Sequence, residues 1–225
     1  MSSKTVFITG ASTGIGAETA RAAVRDGWRT ALFARSQDKL DALVAELGTE
    51  SALALPGDVT KMSDLEDAVA KTETRFGSLD AVFANAGRGL DTAGISEGDA
   101  DEWRDMMEIN VMGMLWTLKA SYDALKTSKG HLVLTGSAAG RRHIKGSIYS
   151  ASKWFVHGLA GNMAADMREF GGRCTVIAPG MVNTPFFDSP KPDKLKPEDV
   201  ASAVMHALNA PHRATIEEIF LMPTN

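Results

Sequence analysis

The sequence contains a single cysteine, Cys174, among its 225 residues. One cysteine can form neither an intramolecular disulfide nor a metal site built from several cysteines, which fits a reducing compartment, and we expect no metal site. The 24 Lys and Arg residues are outnumbered by 28 Asp and Glu residues, which gives a net charge of −4. A broad phosphate-binding surface needs a basic excess, so this balance argues against nucleic acid as a partner.

Long apolar runs are also absent. No stretch approaches the ~18–20 apolar residues that span a bilayer, so we expect no membrane span. The chain enters an apolar strand pattern directly after Met1-Ser2-Ser3-Lys4, which leaves no room for a signal peptide. Together these absences predict a soluble protein of the cytoplasm.

The chain does have enough apolar side chains to form a core. Hydrophobic residues make up 44% of it and charged residues 23%, which is typical of globular proteins and disfavours disorder. Single α/β domains routinely reach about 200–250 residues, so we expect one domain over residues 1–225.

Short apolar runs alternate with helical patterns along the whole chain. The patterns predict amphipathic helices, including a long one over 102–125, one over 148–170 and a last one over 197–208. Strands separated by helices pair in parallel through right-handed crossovers, with helices on both faces. We therefore expect an α/β fold with a doubly wound parallel sheet, a Rossmann-like three-layer sandwich. The runs predict seven strands, at 5–9, 30–34, 52–55, 79–84, 131–135, 174–178 and 218–222.

Glycines cluster between the first strand and the first helix, in the segment TGASTGIG at 9–16. This GxxxGxG spacing differs from the GxGxxG of the general dinucleotide fingerprint, but the physics is the same. Glycines permit a tight turn and let the backbone approach a diphosphate, and the helix N-terminus supplies free N–H groups. A turn that merely needs flexibility is the alternative. The position favours cofactor binding by Gly10, Ser12, Thr13, Gly14, Ile15 and Gly16.

The end of the second strand indicates which dinucleotide binds. NAD enzymes place an acidic residue about twenty positions beyond the glycines, where it holds the ribose hydroxyls. Here the chain has Ala34-Arg35-Ser36, with no carboxylate. Arg35 can pair with a 2′-phosphate and Ser36 can donate to it, which favours NADP(H) and leaves NAD(H) open. A solvated arginine at the start of a helix is the alternative.

Two further strand ends carry candidate cofactor contacts. Asp58 and Val59 follow the third strand, where the Asp58 carboxylate could accept a hydrogen bond from the adenine amine or belong to the cap of the next helix. The fourth strand is followed by Asn85, Ala86 and Gly87, whose small size lets the backbone lie against the cofactor.

Tyr149 and Lys153 stand four residues apart on a predicted helix, which places them on one face. A lysine beside a tyrosine stabilises the phenolate and lowers the tyrosine pKa from ~10, as a general acid/base for an alcohol–carbonyl pair requires. Ser137 lies just past the fifth strand, where its hydroxyl could hold a substrate oxygen. A lone YxxxK is a common helix pair, so its combination with Ser137 and the glycine segment is what indicates catalysis.

These segments together resemble the short-chain dehydrogenase/reductase family, over the whole chain and in the family's order. The resemblance implies strand order 3-2-1-4-5-6-7 and hydride transfer between NADP(H) and a carbonyl or secondary alcohol. The matching segments are TGASTGIG at 9–16, DVT at 58–60, NAG at 85–87, Asn110, GSAAG at 136–140, YSASK at 149–153 and PGMVNT at 179–184.

The resemblance also implies a role for each catalytic candidate. Tyr149 would exchange a proton with the substrate oxygen, and Ser137 would orient that oxygen. Lys153, with Tyr149, would also contact the cofactor by holding the nicotinamide ribose hydroxyls. Asn110 would support a water chain that connects Lys153 to solvent. The segment that contacts the nicotinamide would supply Pro179, Gly180, Val182 and Thr184.

The resemblance implies a small-molecule carbonyl or alcohol substrate without naming it. Residues 185–196 form a shorter segment than many members have before the last helix, which indicates an open pocket, with Met181, Phe186 and Phe187 as candidates for its lining. Family members are usually dimers or tetramers whose subunits meet through the fourth and fifth helices, here those predicted over 102–125 and 148–170. We therefore expect a homodimer or homotetramer. The alternative is a non-catalytic NADP(H)-binding sensor or scaffold, which would not need the catalytic set.

Two features near the catalytic set are interpreted as structural. Arg141, Arg142, His143 and Lys145 form a basic loop that is predicted to be solvated, with an anionic substrate group as the alternative. His157, on the helix that carries Lys153, is expected to have a structural role.

Overall fold

The computed structural model describes residues 3–91 and 94–224. Each of the seven strands lies within two residues of its predicted bounds. The strands are β1 Thr5–Thr9, β2 Arg29–Ala34, β3 Ala52–Pro56, β4 Ala81–Ala84, β5 His131–Thr135, β6 Arg173–Pro179 and β7 Glu218–Leu221.

Helices connect successive strands. A 3₁₀ turn, Ala138–Arg141, follows β5, and a π-helical turn, Glu108–Met112, separates two of the α-helices. The single helix predicted over 102–125 is therefore wrong in its continuity. The π turn widens the backbone locally and turns Asn110 fully inward, with none of its surface exposed. The helices are α1 Gly14–Arg25, α2 Gln37–Leu47, α3 Met62–Phe76, α4 Ala100–Met107, α5 Gly113–Ser128, α6 Ile148–Arg168 and α7 Pro197–Leu208.

All seven strands form one parallel sheet in the order β3-β2-β1-β4-β5-β6-β7. This is the order that the sequence predicts. The chain winds outward in one direction from β1 to β3 and in the other from β4 to β7. Ligands of such sheets bind outside the carboxyl ends of the strands where the winding direction reverses, which here is between β1 and β4.

Apolar residues of each strand alternate between two cores. Val6 and Ile8 pack with α1, α2 and α7 on one face of the sheet, whereas Phe7 packs with α3, α5 and α6 on the other. All three side chains are wholly buried. Fully burying such a side chain contributes about 1.5–3 kcal/mol, so the two cores hold the sheet rigidly between its helical layers. This is the predicted three-layer sandwich.

Among the described residues, no helix is both long and apolar enough to cross a bilayer. The assignment of residues 1–225 to one domain stays a prediction, as does the expected cytoplasmic location.

Candidate active site

The four catalytic candidates come from two consecutive connections of the chain, between β4 and β5 and between β5 and β6. Asn110 lies in the π turn between α4 and α5, Ser137 follows β5 directly, and Tyr149 and Lys153 occupy the first two turns of α6. The carboxyl edge of the sheet brings them together, next to the loops that follow β1 and β4.

Tyr149, Ser137 and Lys153 are in mutual reach. The Ser137 side chain lies close enough to the Tyr149 hydroxyl to lower its pKa, and the Ser137 Oγ accepts from the backbone N–H of Ala139 at 3.1 Å. The Lys153 Nζ donates to the carbonyl oxygen of Thr135 at 2.9 Å and lies 5.8 Å from the centre of the Tyr149 ring. The serine and the lysine are thus both fixed to the end of β5, with the phenol facing them.

Asn110 uses its carboxamide to hold a loop. Its Oδ1 accepts from the backbone N–H of Arg88 at 2.9 Å, and its Nδ2 donates to the Arg88 carbonyl oxygen at 3.0 Å. Nδ2 also lies 3.4 Å from the Ser152 Oγ, next to Lys153. A Cβ at Gly87 would lie 3.2 Å from the Asn110 Oδ1, so the backbone of that loop packs directly on the amide. The predicted water chain through Asn110 stays a prediction.

Burial controls the protonation of the tyrosine and the lysine. It raises the pKa of Tyr149 to about 12, although the nearby Ser137 side chain acts in the opposite direction, and it lowers the pKa of Lys153 to about 8. The expectation that Lys153 lowers the Tyr149 pKa is therefore wrong, because desolvation of the phenolate raises that pKa while the Lys153 Nζ is bonded to the Thr135 carbonyl oxygen. At pH 7 the tyrosine is a neutral proton donor.

A hydrogen-bond network ties the ends of three strands together beside this site. The Thr9 Oγ1, at the end of β1, accepts from the backbone N–H groups of Asn85 and Ala86 at 3.0 and 3.1 Å. The Asn85 Nδ2 donates to the carbonyl oxygens of Thr9 and Gly10, and its Oδ1 accepts from Thr135 at the end of β5. Thr9 and Thr135 escape notice in the sequence, since threonine at a strand end has no distinctive spacing.

The glycine loop after β1 has the shape of an anion cradle. Gly10 and Gly14 have φ of 65° and 56°, in the left-handed region that favours glycine. A Cβ at Gly16 would lie 2.3 Å from the Gly10 carbonyl oxygen, so no side chain fits there. The side chain of Thr13, the N-cap of α1, makes no capping hydrogen bond. The open turn and the helix N-terminus fit the diphosphate of a dinucleotide.

The candidate contacts for the adenosine half lie at the ends of β2 and β3. Arg35 and Ser36 are exposed, and within the described part of the chain the Arg35 guanidinium has no ion-pair partner. The Asp58 Oδ1 accepts from the backbone N–H of Thr60 at 3.0 Å, so part of its carboxylate already serves the local turn. Val59 is buried against Gly113 at the start of α5. Arg35 is the one cation of this group.

The segment after β6 folds back over the glycine loop. Gly180, directly after Pro179, donates its N–H to the Leu221 carbonyl oxygen at 2.7 Å, and the buried Val182 forms a parallel bridge with Leu195. A Cβ at Gly14 would lie only 3.2 Å from the methyl carbon of Thr184. The two halves of the predicted cofactor site are therefore in contact.

Phe186 and Arg141 border the catalytic group in different ways. The Phe186 ring lies 5.8 Å from the Tyr149 ring, tilted by 58°, and remains 40% exposed, as pocket lining would be. Arg141, from the predicted basic loop, instead pairs with Glu218 of β7. Its guanidinium is engaged on the far side of the Ser137 turn.

The family model described as short chain dehydrogenase matches residues 4–195. The chain belongs to this family. An uncharacterized oxidoreductase of Staphylococcus aureus strain MRSA252 is similar to this short-chain dehydrogenase and is 34% identical to it over 228 residues. The match covers 99% of this chain and 98% of the relative. The protein is thus an oxidoreductase of the short-chain family.

Solved structures of other members superimpose closely on this short-chain dehydrogenase. An alcohol dehydrogenase from the archaeon Thermococcus sibiricus, complexed with 5-hydroxy-NADP, is 35% identical with a TM-score of 0.90, and the match covers 98% of this chain and 97% of that one. Serine dehydrogenase from Escherichia coli is 27% identical with a TM-score of 0.89 and covers 97% of both chains.

The strand-end network predicts a stability effect for Thr9→Val. Valine keeps the shape but removes the acceptor for two backbone N–H groups, which should lower the free energy of unfolding by about 2 kcal/mol or more in urea denaturation. Thr74→Val is the matched control, because that exposed hydroxyl donates only within its own helix, to Ala70. Equal losses for the two variants would contradict the role of Thr9.

The buried lysine predicts a pH effect on the stability of the cofactor-free protein. A pKa of about 8, against 10.5 in the unfolded chain, means that the unfolded state binds more protons between those values, so stability rises with pH in this window. Relative to Lys153→Met, which cannot titrate, the wild type should gain about 1 kcal/mol between pH 8 and pH 9. Parallel pH profiles for the two proteins would show that the lysine is not desolvated.

Proposed function

We propose that the protein is an NADP(H)-dependent oxidoreductase that transfers hydride between the nicotinamide and a carbonyl or secondary alcohol, with Tyr149 as the general acid/base. The observation that carries this proposal is the neutral Tyr149 phenol, next to Ser137 and the buried Lys153, beside the switch point of the sheet. A group that must donate a proton to a substrate oxygen needs that protonated state and that position.

Each candidate residue has a separate role in the proposed reaction. When bound, the nicotinamide supplies or accepts the hydride at the substrate carbon. In the direction of reduction, Tyr149 gives its proton to the carbonyl oxygen, which Ser137 holds by a hydrogen bond. Lys153 would stabilise the tyrosinate that forms and would hold the nicotinamide ribose hydroxyls of a bound cofactor. Asn110 keeps the loop after β4 in place through Arg88 and supports the predicted path for protons to Lys153.

The preference for NADP(H) over NAD(H) rests on the end of β2. Arg35 is exposed and unpaired within the described residues, and no carboxylate follows β2 at the position that would hold ribose hydroxyls. Similar structures complexed with NADP support this preference, including serine dehydrogenase complexed with NADP+, which is 26% identical with a TM-score of 0.90 and covers 97% of this chain and 94% of that one. The glycine loop would hold the diphosphate, and Pro179, Gly180, Val182 and Thr184 the nicotinamide.

The substrate is proposed to be a small molecule. Phe186, beside Tyr149 and partly exposed, favours substrates with an apolar group next to the carbonyl. A homodimer or homotetramer built through the long helices α5 and α6 is proposed with it, as the family resemblance implies.

Tyr149→Phe should sharply lower kcat without affecting cofactor binding. The ring and its packing remain while the proton donor is lost, so kcat should fall roughly 10²–10⁴-fold. NADPH consumption would be followed with a panel of aliphatic, aromatic and acidic aldehydes and ketones, and NADPH affinity by titration. Tyr122→Phe is the matched control, because the Tyr122 hydroxyl donates to Asp166 in a partly buried contact between α5 and α6, away from the candidate site.

Near-normal turnover by Tyr149→Phe would refute the acid/base assignment. NADPH binding by a wild type that turns over neither the carbonyls nor the corresponding alcohols with NADP⁺ would favour the sensor or scaffold alternative instead.

Arg35→Asp should change the choice of cofactor. Removing a charge-assisted contact to the 2′-phosphate costs about 1.5–3 kcal/mol, so the Kd for NADPH should rise roughly 10- to 100-fold while that for NADH stays constant or falls. Arg213→Asp makes the same charge change in an exposed loop before β7, at the opposite edge of the sheet. A ratio of NADPH to NADH affinity that Arg35→Asp leaves unchanged would refute the preference.

A further inference from the structure

His157 lies four residues beyond Lys153 on α6, and only 6% of its side chain is exposed. The proposed mechanism gives it no role. Its imidazole lies against the turn that carries Ser137, between the end of β5 and the start of the 3₁₀ turn. The ring is therefore in contact with the backbone of a residue that the mechanism depends on.

The turn around Ser137 is shaped to fit this imidazole. A Cβ at Gly136 would lie 2.9 Å from the His157 Nε2, and a Cβ at Gly140 would lie 2.5 Å from its Cδ2. Carbon atoms do not approach that closely without displacing the ring. The two glycines that flank the catalytic serine thus form a slot, which we call the imidazole slot, and His157 fills it.

One ring nitrogen is bound to the catalytic serine itself. The His157 Nε2 lies 3.2 Å from the carbonyl oxygen of Ser137. A carbonyl oxygen can only accept, so the bond requires the proton on Nε2. The same oxygen accepts from the N–H of Gly140 at 2.9 Å. The Ser137 backbone is therefore held both from within its own turn and from α6.

The other ring nitrogen faces the carboxylate of Glu218, which already forms an ion pair with Arg141. The His157 Nδ1 lies 3.5 Å from the Glu218 Oε1, and the same oxygen accepts from the Arg141 Nε at 3.0 Å. Burial lowers the pKa of His157, and the charges of Arg141 and Lys153 add to this against the opposing effects of the Ser137 carbonyl and Glu218. The ring is neutral at pH 7, so its single ring N–H proton is on Nε2, which donates to the Ser137 carbonyl oxygen.

We infer that His157 is a positioning residue for Ser137: by donating from Nε2 to the Ser137 carbonyl inside the imidazole slot, it orients the Ser137 hydroxyl toward Tyr149. The inference rests on the proposed function, since it concerns the serine that would hold the substrate oxygen. It requires a hydrogen-bond donor at one specific place, rather than a side chain that merely fills the space.

Three substitutions separate the donor from the packing. His157→Gln places an amide N–H near the position of Nε2, His157→Asn places one near Nδ1, and His157→Leu fills the slot without a donor. A small misplacement of a catalytic group costs up to about 100-fold, so we expect kcat to fall roughly 10- to 100-fold in the Asn and Leu variants and to stay within about threefold in the Gln variant. His206→Leu, on the exposed side of α7, is the control.

Two further measurements distinguish positioning from general stability. The Kd for NADPH should stay unchanged in all three variants. Hydrogen exchange of the Gly140 amide, measured by NMR on the cofactor-free protein, should be faster in the Asn and Leu variants and close to wild type in the Gln variant, because its acceptor is the Ser137 carbonyl. A purely structural histidine would give similar losses in the Gln and Leu variants.

Equal kcat in the Gln and Leu variants, or a loss of NADPH affinity that parallels the loss of kcat, would overturn the inference while the proposed function stands. If the wild type shows no turnover but the variants still differ in the exchange rate of the Gly140 amide, the proposed function is overturned. The hydrogen bond from His157 to Ser137 then stands as assigned. Uniform exchange across the variants would overturn the inference whatever the activity.

Discussion

The arrangement of the site depends on the hydrogen bonds that hold the ends of β1, β4 and β5 together. Thr9, Asn85 and Thr135 are three strand-terminal residues whose polar groups satisfy one another where the parallel sheet stops. Unpaired backbone groups at such an edge would cost free energy, and here side chains accept and donate in their place. The glycine loop begins where β1 ends and the Ser137 turn begins where β5 ends, so these hydrogen bonds fix the starting points of both segments.

Burial of charge is the second constraint, and it changes the chemistry expected from spacing alone. A tyrosine and a lysine one helical turn apart suggest a stabilised phenolate, but both groups lie in a poorly solvated place. Desolvation penalises the phenolate and the ammonium alike, so the pKa of Tyr149 rises and that of Lys153 falls. A neutral phenol beside a lysine of lowered pKa is the arrangement that the proposed proton transfer from Tyr149 to a substrate oxygen would need.

Much of the fold and the membership of the site could be predicted because local patterns determine them. Buried strands are continuous apolar runs, and the residues after each run must meet at one edge of a parallel sheet. The π turn at Asn110, the pairing of Arg141 with Glu218 and the slot around His157 could not be predicted, because each depends on contacts between residues far apart in the chain. The pKa of Tyr149 belongs to the same class, since burial is a property of the assembled fold.

The two halves of the site use different materials, and this determines how each can vary. The predicted diphosphate cradle is made of backbone, so what matters at Gly10, Gly14 and Gly16 is the absence of a side chain. The proposed catalytic half is made of side chains that are held by second residues, as Ser137 is by the backbone of its own turn and by His157. On the proposed roles, a substitution at Arg35 would change cofactor choice without disturbing the catalytic candidates, whereas the arrangement of those candidates depends on residues behind them, such as His157.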